Sequence, residues 1–159
     1  MSARGAIYFK PAFKFDNGET SDKLIVLLNS PSKNDDYLFV PTTSKKKIRS
    51  NSPGCVKHYG AGEFFIPIGT SSFFNSDTWI ILAKIYPISR KTIQSNTEYA
   101  KIKGTSLPSK LMDKIVVCLY KHHGDDIPEM YEHLIRPKVD DWKQQLARKF
   151  NTYRCPHMT

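Results

Sequence analysis

The chain has 159 residues, with 24 Lys and Arg against 15 Asp and Glu and a formal net charge of +9. That length fits one domain with its own core, and the charge excess points to an anionic partner, with nucleic acid ahead of an acidic protein. Aromatic residues make up 12% of the chain, which argues against a disordered tail, and no apolar run approaches the length of a membrane span.

The opening MSARGAIYFKP lacks a basic region followed by a long apolar run, so a cytoplasmic protein with no membrane partner is expected. Cys55, Cys118 and Cys155 are odd in number and far apart, with no C-x-x-C. Their spacing is expected to give neither a disulfide framework nor a zinc site, and it fits a reducing compartment.

In chain order, residues 6–9 read as a short aromatic strand entered from Gly5. KPAFKFDNGETS then reads as a long charged loop with an Asp-Asn-Gly turn signal, joining the first two strands as a hairpin. Residues 24–28 and 37–40 are continuous apolar runs bounded by Asn, Ser, Pro and Asp, the pattern of strands buried on both faces. Antiparallel pairing of these two would bring Lys23 to the same sheet edge as Thr42, Thr43 and Ser44.

SKKKIRSNSPGCVKHYGAG reads as a polar, basic connection. Residues 63–68 form a further strand that Pro67 places at an edge or a bulge. Residues 79–85 are the longest apolar run and read as one strand ending at Tyr86-Pro87. A last short strand is expected over 99–103.

From there the period changes. Leu111, Met112, Ile115, Val116 and Leu119 fall at helical spacing, Pro108 suits the first turn, and Gly124 ends the helix after His122 and His123. A shorter helix is expected over 125–136. Residues 137–150 carry a stripe of Val139, Trp142, Leu146 and Phe150 that reads as core or dimer contact. The expected class is α+β, mainly β.

Several strings, taken in order, resemble the PemK/MazF-type toxins of toxin–antitoxin systems over residues 5–123. GAIYF is similar to the family's opening Gly-Asp and strand, DKLIVLLNS to its arginine-proline-apolar strand, and VPTTSKKK to its apolar-Pro-x-Thr strand end. DTWIILAKIYPISRKTI is similar to the long central strand, and AKIKGTSLPSKLMDKIVVCL to the closing strand and helix. The resemblance implies a small SH3-like barrel with a closing helix, here over 1–123; residues 124–159 extend beyond the family's usual end and are expected from their own pattern to form a helical extension packed on the same domain. It also implies a homodimeric endoribonuclease that cleaves single-stranded RNA without a metal or other cofactor and is held inactive by an antitoxin protein.

Residue by residue, the family's catalytic arginine falls on Lys23 and its catalytic threonine on Thr43. Lysine keeps the positive charge but loses the planar fork that grips a phosphate bidentately. Ala83 and Lys84 stand where many members carry an acid or amide followed by glutamine. In the implied chemistry the ribose 2′-hydroxyl attacks the adjacent phosphate. Lys23 would stabilise the phosphoryl oxygens or protonate the leaving 5′-oxygen, and Thr43 would position the phosphate.

Ser44, Lys45, Lys46, Lys47 and Arg49 follow directly and would hold RNA phosphates. The bland alternatives are a solvated strand-end charge, a β-forming threonine and an ordinary basic loop. Tyr8, Phe13 and Phe15 are candidates for base stacking or, more simply, for the core. His58 is a lone loop histidine, and Asp16 and Glu19 are turn carboxylates. A second functional class is a catalytically weak or inactive barrel that binds RNA or an acidic protein partner through its basic surface.

Overall fold

The computed structural model describes residues 4–32, 34–45, 49, 51–70, 73–95 and 99–135. Its eight strands are β1 (Ala6–Lys14), β2 (Thr20–Leu27), β3 (Tyr37–Thr43), β4 (Gly54–His58), β5 (Ala61–Ile66), β6 (Thr78–Ile81), β7 (Tyr86–Ile88) and β8 (Ala100–Ser106). The helices are α1 (Arg90–Gln94), α2 (Ser109–His123) and α3 (Glu129–Ile135), with a 3-10 turn at Gly124–Asp126 between the last two.

The strands pair antiparallel in the order β4-β5-β6-β3-β2-β1-β8, and β7 joins β3 beside β6. The path is open, since no ladder joins β8 to β4 among the described residues. The protein is therefore α+β and mainly antiparallel sheet, as the hydrophobic patterning predicts.

Strand β3 is central because both its faces and both its edges are covered. Side chains alternate across a strand, and here the alternation divides two cores. Val26, Leu28, Leu38 and Val40 join Met112, Ile115, Val116 and Leu119 of α2 in one core; Ile25, Leu27, Tyr37 and Phe39 join Tyr8, Phe13, Ile88 and Ile93 in the other. This explains why both strands are continuous apolar runs with no polar face. Helix α2 lays its apolar stripe across β4 and β5, and Ile135 of α3 is buried in the same core. Residues 136–159, with the expected stripe at 139–150, lie outside the described residues.

Four local expectations change. The first strand reaches Lys14 rather than ending at residue 9, because the chain absorbs a bulge between Lys10 and Phe13. Ala12 sits there at φ 50, and its N–H donates to Asp22 Oδ1 at 2.9 Å. The remaining turn is short, and the Asn17 side chain caps Glu19 N within it. Strand β4 arises inside the stretch read as a basic connection, where Tyr59 and Gly60 both take positive φ and close a tight hairpin to β5. Strand β5 is interior, between β4 and β6, and stops at Ile66, so Pro67 lies beyond its end and costs no ladder bond.

The run expected as one strand over 79–85 breaks after Ile81. Its two parts pair with successive halves of β3, β6 with Thr42 and Thr43 and β7 with residues 37–39. The cysteine expectation is also corrected, because Cys55 of β4 and Cys118 of α2 form a disulfide across 63 residues of chain. Only the docking of α2 on the hairpin brings them together, and sequence spacing carries no trace of it. No helix among the described residues is long and apolar enough to cross a membrane.

Gly5, just before β1, ties the end of β2 to the residue that follows β8. It holds φ +91, its N–H donates to Leu27 O at 2.8 Å, and its carbonyl accepts from Leu107 N at 2.9 Å. A Cβ there would lie 2.7 Å from the Leu107 carbonyl oxygen. Gly5→Ala is expected to lower unfolding free energy by more than about 1 kcal/mol in urea titration, because strain and clash add.

Candidate functional site

The β2–β3 register builds the candidate site. Ile25 pairs with Pro41, Val26 with Val40 and Leu27 with Phe39. Continuing that ladder by two residues places Thr43 opposite Lys23, on the same face of the sheet. The side chains meet there, with Lys23 Nζ donating to Thr43 Oγ1 at 3.3 Å. Both predicted catalytic residues are buried, Lys23 at 9% and Thr43 at 5% exposure. Thr43 is thus the last residue of a strand rather than a loop residue, and its Oγ1 also accepts from Lys45 N at 3.3 Å. Thr42 faces the other way and donates to Leu24 O at 2.8 Å, which clamps the two strands where the cleft opens.

Lys23, Thr42, Thr43 and Ser44 line a cleft of about 310 Å³ together with Asp22, Phe9 and a polar wall of Asn75, Ser76 and Thr78. The wall comes from the segment leading into β6, which pairs with Thr42 and Thr43. Sequence reasoning missed Asp22 and this wall. Asp22 neighbours Lys23 and could have been weighed with it, whereas Asn75 and Ser76 reach the cleft only through the β3–β6 pairing.

The electrostatics of the cleft are unfavourable to its central ammonium. Burial lowers the Lys23 pKa first, and the positive charges of Lys45 and Arg49 lower it further. The ring of Phe15, 5.6 Å from Nζ, supplies a cation–π contact. Of the proposed stacking residues, Tyr8 and Phe13 are core, and Phe15 instead sits against Lys23.

The basic run divides. Ser44 and Lys45 are exposed, and Ser44 lines the cleft. Arg49 is turned inward. Its Nε donates to both oxygens of Glu63, at 3.1 and 3.4 Å, and a terminal guanidinium nitrogen donates to Lys45 O at 3.0 Å. Glu63 is only 2% exposed, so this pair ties Arg49 to β5. Lys46 and Lys47 lie outside the described residues.

His58 ends β4 against Tyr59 and does not line the cleft. Asp16 pairs with Lys84, which stands in the break between β6 and β7, in an exposed contact. No protein-family model and no curated protein sequence matches the chain.

Two outcomes follow from the charges. Replacing Lys23 by Met keeps its length and removes a buried cation held beside two others, so Lys23→Met is expected to stabilise the protein by about 1 kcal/mol at neutral pH. Below the lowered Lys23 pKa both folded and unfolded states hold the proton, and the cost is fully present. As pH rises from that value toward the unfolded 10.5, the folded state loses its proton first and stability gains. The difference between wild type and Lys23→Met in urea midpoint should therefore shrink over that range; a constant difference would remove the charge argument. Glu63→Gln leaves the Arg49 cation without its counter-charge and is expected to cost about 3 kcal/mol by the same measurement.

Proposed function

We propose that this protein is a PemK/MazF-like endoribonuclease that cleaves single-stranded RNA without a metal. The observation that carries the reading is the meeting of the Lys23 and Thr43 side chains at the end of the β2–β3 ladder, where both residues border a polar cleft and Lys45 is exposed next to Ser44 of its lining. The finer architecture belongs to the same proposal. It is an SH3-like barrel in which β3 is shared by two pairing partners on one side and α2 covers one face, and it assembles as a homodimer restrained by an antitoxin.

RNA cleavage of this type needs a proton removed from the 2′-hydroxyl, a proton given to the departing 5′-oxygen, and positive charge or donors at the phosphorane. Lys23 serves the second and third needs. Its ammonium lies beside Thr43 Oγ1, and its lowered pKa makes it a readier proton donor than an ordinary lysine. Thr43 Oγ1 orients that ammonium and, by its hydroxyl, the scissile phosphate. Asp22 supplies the carboxylate of the cleft and is our candidate to accept the 2′-hydroxyl proton. Ser44 and Lys45 hold flanking phosphates, with Lys46 and Lys47 assigned the same role from sequence. Arg49 is committed to Glu63 and is assigned no phosphate.

Phosphate binding through Lys23 and Lys45 makes affinity fall as salt rises. The test is incubation of the purified chain with a mixed-sequence RNA in excess EDTA, beside Lys23→Ala, Thr43→Ala and Asp22→Asn. The expected products end in 2′,3′-cyclic phosphate, and each of the first two variants loses about a hundredfold in rate, the loss typical of removing one transition-state donor. Salt-sensitive RNA binding without cleavage would replace this reading with that of a binding module, to which the missing guanidinium fork at Lys23 lends weight.

A further inference from the structure

Away from the cleft, three soft ligand groups converge where α2 docks on the β4–β5 hairpin. Cys118 and His122 are four residues apart on α2 and so share one face of the helix. Cys55 projects from β4 against that face, and the ligand atoms of all three residues lie within 4.8 Å of one another. We propose that in the dithiol state Cys55, Cys118 and His122 hold one zinc ion, and that the Cys55–Cys118 disulfide is the alternative, metal-free state of the same clamp.

The surroundings fit a metal. Gly62 on β5 has no side chain, and a Cβ there would lie 2.7 to 2.9 Å from the Cβ, Cδ2 and Cγ atoms of His122. Its absence lets the His122 imidazole lie against the β5 backbone, beside the sulfurs. His123 is excluded as a ligand because its Nε2 accepts the Gly62 N–H at 2.9 Å. Cys118 is fully buried, whereas Cys55 and His122 are half-buried, so an ion can enter from their side and keep a water in the fourth position.

Two thiolates cancel the charge of Zn²⁺, so the loaded site adds no net charge to a partly buried place. Thiolate and imidazole ligands also select zinc over the hard cations Mg²⁺ and Ca²⁺. The reduced state has its own acceptor before metal arrives, since Cys118 Sγ lies 3.6 Å from Glu63 O.

The chemistry balances. A dithiol reductant gives two electrons and two protons to the disulfide, forming two thiols and becoming a disulfide itself. Zinc then displaces the two thiol protons to solvent and takes two thiolates and one neutral imidazole. A disulfide and a zinc ion each join β4 to α2, so the clamp survives in either compartment. The site shares no residue with the cleft.

Cobalt(II) is the probe, because tetrahedral thiolate coordination gives it visible charge-transfer and ligand-field bands. The full chain, reduced by a phosphine and held without oxygen, is titrated with Co²⁺ and then with Zn²⁺ as competitor. One equivalent of Co²⁺ with tetrahedral bands, displaced by Zn²⁺, is expected in wild type and in Cys155→Ser, and none in the oxidised chain. Cys118→Ser should abolish the bands. His122→Ala, which leaves both cysteines in place, should weaken binding by more than about tenfold, the loss that even an outer-shell partner can produce. No bands in the reduced chain, bands lost only in Cys155→Ser, or an unchanged affinity in His122→Ala would overturn the proposal.

Discussion

The cleft depends on one register. A slip of one residue between β2 and β3 would send Lys23 to the opposite face from Thr43 and exchange the members of the two cores. That register is fixed from both sides at once. Val26 and Val40 belong to the core under α2, while Ile25, Leu27 and Phe39 belong to the aromatic core on the other face. Because neither face is solvated, no slipped pairing is free of apolar exposure or buried charge. Thr42, bonded to Leu24 O, pins the same alignment at the strand ends where apolar side chains give way to polar ones.

Around that alignment the protein tolerates an arrangement that packing alone would not select. Three cations approach one another at the end of β3, and two of them depress the pKa of the third. Only Arg49 is given a buried counter-charge, Glu63, and this anchoring leaves Lys45 at the surface while Lys23 stays inside. A purely structural lysine would turn outward and solvate its ammonium. Here the ammonium is held between the Thr43 hydroxyl and the Phe15 ring, poised to gain most when an anion enters. The strained Ala12 bulge has a similar logic, since its N–H holds the Asp22 carboxylate at the cleft edge.

Much of this was legible in the sequence. The doubly buried strands could be read because LIVLL and YLFV lack any polar alternation, and their antiparallel pairing with a short connection led directly to Lys23 beside Thr43. The α2 helix could be read from its period and its flanking Pro108 and Gly124. What escaped depended on partners distant in sequence. Strand β4, GCVKH, has Val56 as its one buried residue and looks like loop until β5 is seen beside it. The break between β6 and β7 has no proline or glycine at residues 82–85 to announce it; it arises because two segments share one side of β3. The roles of Asn75, Ser76 and Glu63 follow from those pairings, and Arg49 reads as an open cation until its buried partner is known.

Strand β5 links the two chemical regions of the molecule. The Glu63 side chain reaches Arg49, while its backbone carbonyl faces Cys118. One residue earlier, Gly62 is flat enough to seat His122, gives its N–H to His123, and takes Leu82 N on its carbonyl. Residues 62 and 63 therefore have little freedom of their own. Their backbone is set by β4 and β6 through the ladder and by α2 through the histidines and the sulfur. The docking of α2 on the hairpin thus fixes the height at which Glu63 presents its carboxylate. Arg49 inherits its position from a helix on the far side of the sheet, which is why the charges beside Lys23 need the intact α+β core and not the β2–β3 hairpin alone.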